Sequence, residues 1–284
     1  MEIINRKQRM ASLARKLRRE NKTVGFVPTM GALHEGHLEL VKEARQMCDV
    51  VIVSIFVNPT QFNDKKDLDK YPRDLTSDAA VLTSYQVDYI FAPDTDEIYP
   101  NGFSTFVYVE NLTETLEGAS RPGHFRGVAT VVTILLNTIR PDFAFFGQKD
   151  AQQVAVIKRL TTDLGFDTEI VVIPIVREES GLAMSSRNSL LSDEERQKAS
   201  IIYRGLREAK IAVKNGERNA ANLADIVRKT VETEPLAQID YIAVVNNETL
   251  EPVEKIGETA VLIAVAVRFG NVRLIDNTVL NRKQ

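Results

Sequence analysis

The chain has 284 residues, of which 44% are hydrophobic and 26% charged, and a formal net charge of −3. That is enough for one large domain or two ordinary ones in a soluble globular protein, and it lacks the basic field that would point to a nucleic-acid partner. The one cysteine, Cys48, excludes an internal disulfide, apolar runs such as Ala260 to Val267 are too short to span a bilayer, and the N-terminal residues show no secretory pattern, so no membrane partner and a cytoplasmic location are expected.

Strand-like and helix-like segments alternate from the start. The basic groups Arg6 to Arg9 and Arg15 to Arg19, with Leu13 and Leu17 at helical spacing, predict a helix with a solvated face. Thr23 to Val27 reads as a first strand. Gly36 to Met47 reads as a helix with Leu38, Leu40, Val41 and Ala44 facing inward, and Val50 to Val57 as a central strand, apolar on both faces. A helix over Asp74 to Ser84, a strand over Tyr89 to Phe91, a helix over Gly127 to Thr138, a strand over Phe143 to Phe146, a helix over Ala151 to Leu164 and a strand over Thr168 to Ile175 complete the series. Repeated strand–helix–strand units predict a Rossmann-like parallel sheet with helices on both faces, and ligands bind such sheets beyond the carboxyl ends of the strands.

After Asn188 the pattern changes. Ser192 to Glu195 is a capping box opening a helix expected to run to about Asn215, and a second helix covers Asn219 to Glu234. Strands over Ile239 to Val245, Ala260 to Val267 and Val272 to Ile275 follow, with turn signals at Asn246-Asn247 and Gly270-Asn271. The expected division is an α/β domain over residues 1–176 and a smaller C-terminal α+β domain over residues 177–284.

Two of the three histidines, His34 and His37, sit one helical turn apart beside Gly31 and Gly36. The glycine spacing is that of a P-loop, but His37 and Leu38 stand where the phosphate lysine and the magnesium-binding hydroxyl belong, and no dinucleotide fingerprint is present. What remains is a turn whose backbone N–H groups and helix N-terminus favour anions, with two imidazoles added. Zinc is the competing reading of the pair, but no local set of ligands completes a tetrahedron. Lys149 and Asp150 follow a strand, where an ammonium can neutralise phosphate charge, and Met184-Ser-Ser-Arg-Asn188 offers two hydroxyls and a planar guanidinium. Cys48, among Ala44, Met47 and Val50, reads as a buried structural thiol.

With these residues in view, the chain closely resembles the pantothenate synthetase (pantoate–β-alanine ligase) family, a branch of the HIGH-motif nucleotidylyltransferases. The resemblance rests on Pro28 to His37, Phe56 to Phe62, Arg121 to Phe125, Phe146 to Gln153 and Gly181 to Asn188. It implies ATP-dependent joining of pantoate to β-alanine through a pantoyl adenylate, with AMP and pyrophosphate released, ATP as a substrate and Mg2+ bridging its phosphates. Phosphate roles fall by resemblance on His34, His37, Lys149, Ser185, Ser186 and Arg187. Contacts to ATP are implied for Met30, Gly31, Ala32, Leu33, Glu35, Gly36, Gly147, Gln148, Asp150, Val176 and Met184 as well. Gln61 and Gln153 match the pantoate-binding glutamines, and Asn58 and the segment 117–124 are expected near the acid and amine. No protein-held metal is expected, since the residues offer no complete ligand set, and the resemblance further implies a homodimer and a C-terminal domain that acts as a lid. Transfer of AMP to another small acid or phosphate is the competing activity.

Overall fold

The computed structural model describes residues 1–281, which form two compact units: residues 1–147 with 156–173, and residues 148–155 with 174 onward. The first unit is a six-stranded, all-parallel sheet built from β1 (Glu2–Ile4), β2 (Val24–Thr29), β3 (Val50–Ile55), β4 (Tyr89–Phe91), β5 (Phe143–Gly147) and β6 (Glu169–Ile173), in the spatial order β1-β4-β3-β2-β5-β6. Its helices are α1 (Lys7–Arg19), α2 (Glu35–Met47), α3 (Lys65–Lys70), α4 (Leu75–Ser84), α5 (Thr95–Ile98), α6 (Leu116–Ser120), α7 (His124–Ile139) and α8 (Ala151–Asp163), the first turn of α8 grouping with the second unit.

β3 is central because Val50 to Ser54 are all buried, as its two-sided apolar run predicts. α2 buries the four residues expected of it, Leu38, Leu40, Val41 and Ala44. The chain order reverses between β2 and β5, which pair through Gly25 with Phe143 and Phe26 with Ala144. That reversal makes their carboxyl ends the topological switch point at which open α/β sheets bind ligands.

Beyond shifts of a residue or two at element ends, the sequence reading misses β1, α3, α5 and α6 and starts α7 late. β1, only three residues long, pairs with β4 at the sheet edge and is too short for a periodic signal. α1 turns Met10, Ala14 and Leu17 inward and leaves Leu13 half-buried. α7 begins at His124 rather than Gly127, because Gly127 is an interior helix residue packed on the turn after β3; a Cβ there would lie 2.5 Å from the Thr60 carbonyl oxygen.

In the second unit β7 (Ala237–Asn246), β8 (Val261–Phe269) and β9 (Val272–Leu280) form an antiparallel sheet in that order. α9 (Asp193–Lys198), α10 (Ile201–Lys214) and α11 (Ala220–Val231) complete it, and Ile202, Leu206, Val213, Leu223 and Val227 join Ile263, Val265, Val267 and Phe269 in its core. The single helix expected from Ser192 to Asn215 is two: the capping box on Ser192 is present, but α9 stops at Lys198 before α10 begins. Gly270-Asn271 makes the expected tight hairpin, whereas Asn246-Asn247 opens a longer excursion before β8. β9 does not end at Ile275. It runs through Asp276 and Asn277, both 4% exposed, to Leu280.

Candidate active site

At the end of β2 the chain turns sharply through Gly31, whose φ of +81° suits glycine, and Ala32, at +51°. A buried carboxylate fixes this turn: Asp78 of α4 accepts the Ala32 N–H at 3.1 Å and the Leu33 N–H at 3.0 Å. A Cβ on Gly31 would lie 2.8 Å from Asp78 Oδ2, so the close approach requires glycine as well.

His34 is the N-cap of α2, and the two imidazoles form a reciprocal capping box. His34 Nδ1 accepts the Gly36 N–H at 3.2 Å, and His37 Nδ1 accepts the His34 N–H at 3.3 Å. The rings lie 4.1 Å apart between centroids. An imidazole accepting at Nδ1 carries its proton on Nε2, so both rings, when neutral, are donors at Nε2. The sequence reading gave the amides of this turn to an anion; those of Ala32, Leu33, His34 and Gly36 are instead engaged by Asp78 and the imidazoles. Of the remaining ATP candidates here, Met30 accepts a hydrogen bond at Sδ from Gln61 Nε2 at 3.1 Å, and Glu35 is exposed in the first turn of α2.

Asn58 is 1% exposed and its amide is fully used. Nδ2 donates to Gln61 Oε1 at 3.0 Å and the Gly127 carbonyl at 3.1 Å, while Oδ1 accepts from the Thr60 N–H, Thr60 Oγ1 and Tyr99 OH. It therefore orients Gln61 from beneath. His124 Nδ1 lies 2.8 Å from the Gln61 carbonyl oxygen, and Arg121 reaches both that oxygen and His124. Burial pushes the Tyr99 hydroxyl up, against the bonds from Thr60 and Asn58, which keeps it a protonated donor. Gly147 closes β5. Beneath β2, Cys48 is buried, and that burial, with Asp142 nearby, pushes its thiol up to about 11, as suits an inert structural residue.

In the second unit Lys149, Ser185 and Arg187 line one pocket, together with Arg273 and Asp276. Val176 and Met184 are brought side by side by a hairpin: Arg177 bridges Ala183, and the Met184 N–H donates to the Val176 carbonyl at 2.9 Å. Ser185 caps the short helical turn Ser186–Leu190 by accepting the Arg187 N–H at 3.2 Å, and Ser186 and Arg187 are exposed. Asp150 is exposed and lies 3.8 Å from the Lys149 ammonium. Gln148 donates to Asn277 at 3.0 Å, and Gln153 is half-buried in the first turn of α8.

The sequence reading missed the residues that hold these groups. Arg177 makes a two-pronged pair with Asp276 at 2.6 and 3.0 Å and stacks on Tyr203 with its guanidinium carbon 4.0 Å from the ring centroid. Burial pushes the Asp276 carboxyl up, opposed by Arg177, the Asn277 N–H and Lys149. Asn188 donates to Glu178, which also takes two bonds from Arg196. The available signal was Asp276-Asn277 itself, a polar pair that follows the apolar Leu274-Ile275 in the last strand. Among the described residues no group of three or more His, Cys, Asp or Glu side chains could hold a metal ion.

A Rossmann-like sheet with an imidazole pair at the helix following β2, and a pocket that gathers a lysine, a serine and an arginine, defines a nucleotide-handling α/β enzyme. Residues 2–279 match the pantoate-beta-alanine ligase family, and the chain belongs to that family: it is an ATP-dependent ligase that condenses pantoate with β-alanine to pantothenate. It is 54% identical over 280 residues to a pantothenate synthetase of Heliobacterium modesticaldum, covering 99% of each chain, and 50% identical over 282 residues to one of Pelotomaculum thermopropionicum, covering 99% of this chain and 100% of that one. Among solved structures, pantothenate synthetase from Thermus thermophilus superposes with a TM-score of 0.90 at 44% identity, over 98% of this chain and 99% of that one. Pantoate-beta-alanine ligase from Francisella tularensis, solved in complex with beta-gamma ATP and beta-alanine, gives 0.80 at 38% identity, over 100% and 98%.

Proposed function

We propose that this chain binds ATP, pantoate and β-alanine and divides the work of the two chemical steps as follows. A pantoate carboxylate oxygen attacks the α-phosphorus of ATP and the bond to pyrophosphate breaks; the β-alanine amine then attacks the acyl carbon, the bond to AMP breaks and the amine loses a proton. Negative charge accumulates around the α-phosphorus and on the departing pyrophosphate, and donors fixed in advance toward that charge lower the barrier. His34 and His37 donate from Nε2, Lys149 supplies an ammonium, and Ser185, Ser186 and Arg187 supply hydroxyls and a guanidinium. The remaining residues of the turn from Met30 to Gly36, with Gly147, Gln148, Asp150, Val176 and Met184, form contacts to the nucleotide.

Gln61 and Gln153 bind pantoate, whose hydroxyls and carboxylate call for groups that both donate and accept. Asn58 serves substrate binding through Gln61. Magnesium enters with ATP: it characteristically keeps phosphate and water ligands and needs no protein cage. The enzyme works in the cytoplasm as a homodimer, which sedimentation equilibrium tests.

The observation that supports the phosphate roles of Lys149, Ser185 and Arg187 is that the three line one pocket. The test is stoichiometric. With ATP, magnesium and pantoate, pyrophosphate should be released in an amount close to one per enzyme; adding β-alanine should start turnover with equal amounts of AMP and pantothenate. Continued pyrophosphate release without amide product would identify an adenylyl transferase acting on the acid alone.

A further inference from the structure

Lys149 follows β5 in the chain, yet its backbone is tied to the last strand. Asn277 Nδ2 donates to the Gln148 carbonyl at 2.9 Å and to the Lys149 carbonyl at 3.0 Å, while Asn277 Oδ1 accepts from Gln148 Nε2 at 3.0 Å. One amide thus uses both donors and its acceptor on two consecutive residues, which fixes the direction in which the Lys149 side chain leaves the turn. Its neighbour Asp276 takes the Asn277 N–H at 2.7 Å and grips Arg177, at the root of the hairpin that carries Ser185 and Arg187. Both residues are 4% exposed in a strand whose other buried positions, Val272, Leu274 and Leu280, are apolar, a placement that costs stability unless every polar group is matched.

We propose that Asn277 is a positioning residue for adenylyl transfer, holding Lys149, while Asp276 holds Arg177 and with it the serine–arginine loop. The inference rests on the phosphate role given to Lys149 above. Lysine is a flexible point charge, and its value to a transition state depends on where its stem begins. A buried amide that ties down that origin acts on the chemical step without touching substrate.

The experiment is a double-variant cycle on pyrophosphate release, run with enzyme in excess so that slow variants are still read, below the unfolding temperature of each variant. Asn277→Ala should lower the rate about tenfold to a hundredfold with the KM for ATP changed less than about threefold. In the Lys149→Ala background the same substitution should cost less than about twofold, because the group it positions is gone. Asn277→Asp, which keeps the shape but removes both donors, is the second variant and should be at least as slow. A loss of the same factor in both backgrounds, or a wild-type rate for Asn277→Ala while Lys149→Ala is slow, overturns the positioning role alone. A wild-type rate for Lys149→Ala overturns the phosphate role and this inference with it.

Discussion

The histidine turn and the serine–arginine loop are both short polar segments containing glycine, but they are held in opposite ways. His34 and His37 are fixed mainly by their own neighbours, through bonds spanning two and three residues. Arg177 and Lys149 are fixed by partners 99 and 128 residues away, on the last strand of the chain. The first geometry is written where it is used. The second exists only once β9 is in place, so changes far from the motif reach it.

The sharpest way to break this contrast is to remove one charged or donating group from each region. His37→Ala and Lys149→Ala should each slow pyrophosphate release by about a hundredfold to a thousandfold. They should part company in stability. His37→Ala also strips an acceptor from the helix cap and should cost about 1 kcal/mol in urea unfolding, whereas Lys149→Ala should leave the midpoint nearly unmoved. Equal midpoints would show that the imidazoles contribute nothing as caps.

The same contrast explains what the sequence made legible. The inward face of α2, the central character of β3 and the cap on Ser192 are patterns complete within a few residues, and all are present. Asp78 was invisible because its amide partners lie about 46 residues upstream and nothing in a helix of ordinary composition announces them. The apolar run of β9 ends at Ile275, so the sequence pattern stops the strand before the polar pair Asp276-Asn277. Only the arrival of Arg177, Gln148 and Lys149 lets the pair continue a strand. The break after α9 falls at Ala199-Ser200, with neither glycine nor proline to mark it. The resemblance puts Asn58 near the substrates, but burial, which sequence does not give, turns its amide toward Gln61 and Tyr99.

Asp78 is a distant partner of the histidine turn, accepting two of its amides from 45 and 46 residues along the chain, and its removal measures how far the turn depends on that carboxylate. Asp78→Asn keeps the shape but replaces a charged acceptor of two amides with a neutral side chain that can accept only at one atom. The expected loss is about 1.5–3 kcal/mol in urea unfolding, the range for hydrogen bonds to a charged group. A cost below about 0.5 kcal/mol would mean that the turn is held without help from Asp78.

Glu178 offers the smallest and most selective perturbation of the other region. Burial pushes its carboxyl up, but the bonds from Arg196 and Asn188 outweigh that and hold it below its ordinary value. A carboxylate depressed in the folded state stabilises it above the ordinary carboxylate pKa, and the contribution disappears as pH falls through the depressed value. Acid should therefore release Asn188, and with it the end of the Ser186–Leu190 turn, at a pH below the normal glutamate range. The Arg196 Nε–H resonance, which reports its 3.0 Å bond to Glu178, should shift with that low midpoint in the wild type. In Glu178→Gln the resonance should already sit near its released position and stay there over the same range. Because Glu178 lies ten residues from Asn188 and eighteen from Arg196, this anchor belongs to the loop's own neighbourhood. A pH response in Arg196 with no matching change at Asn188 would show that only β9 holds the loop.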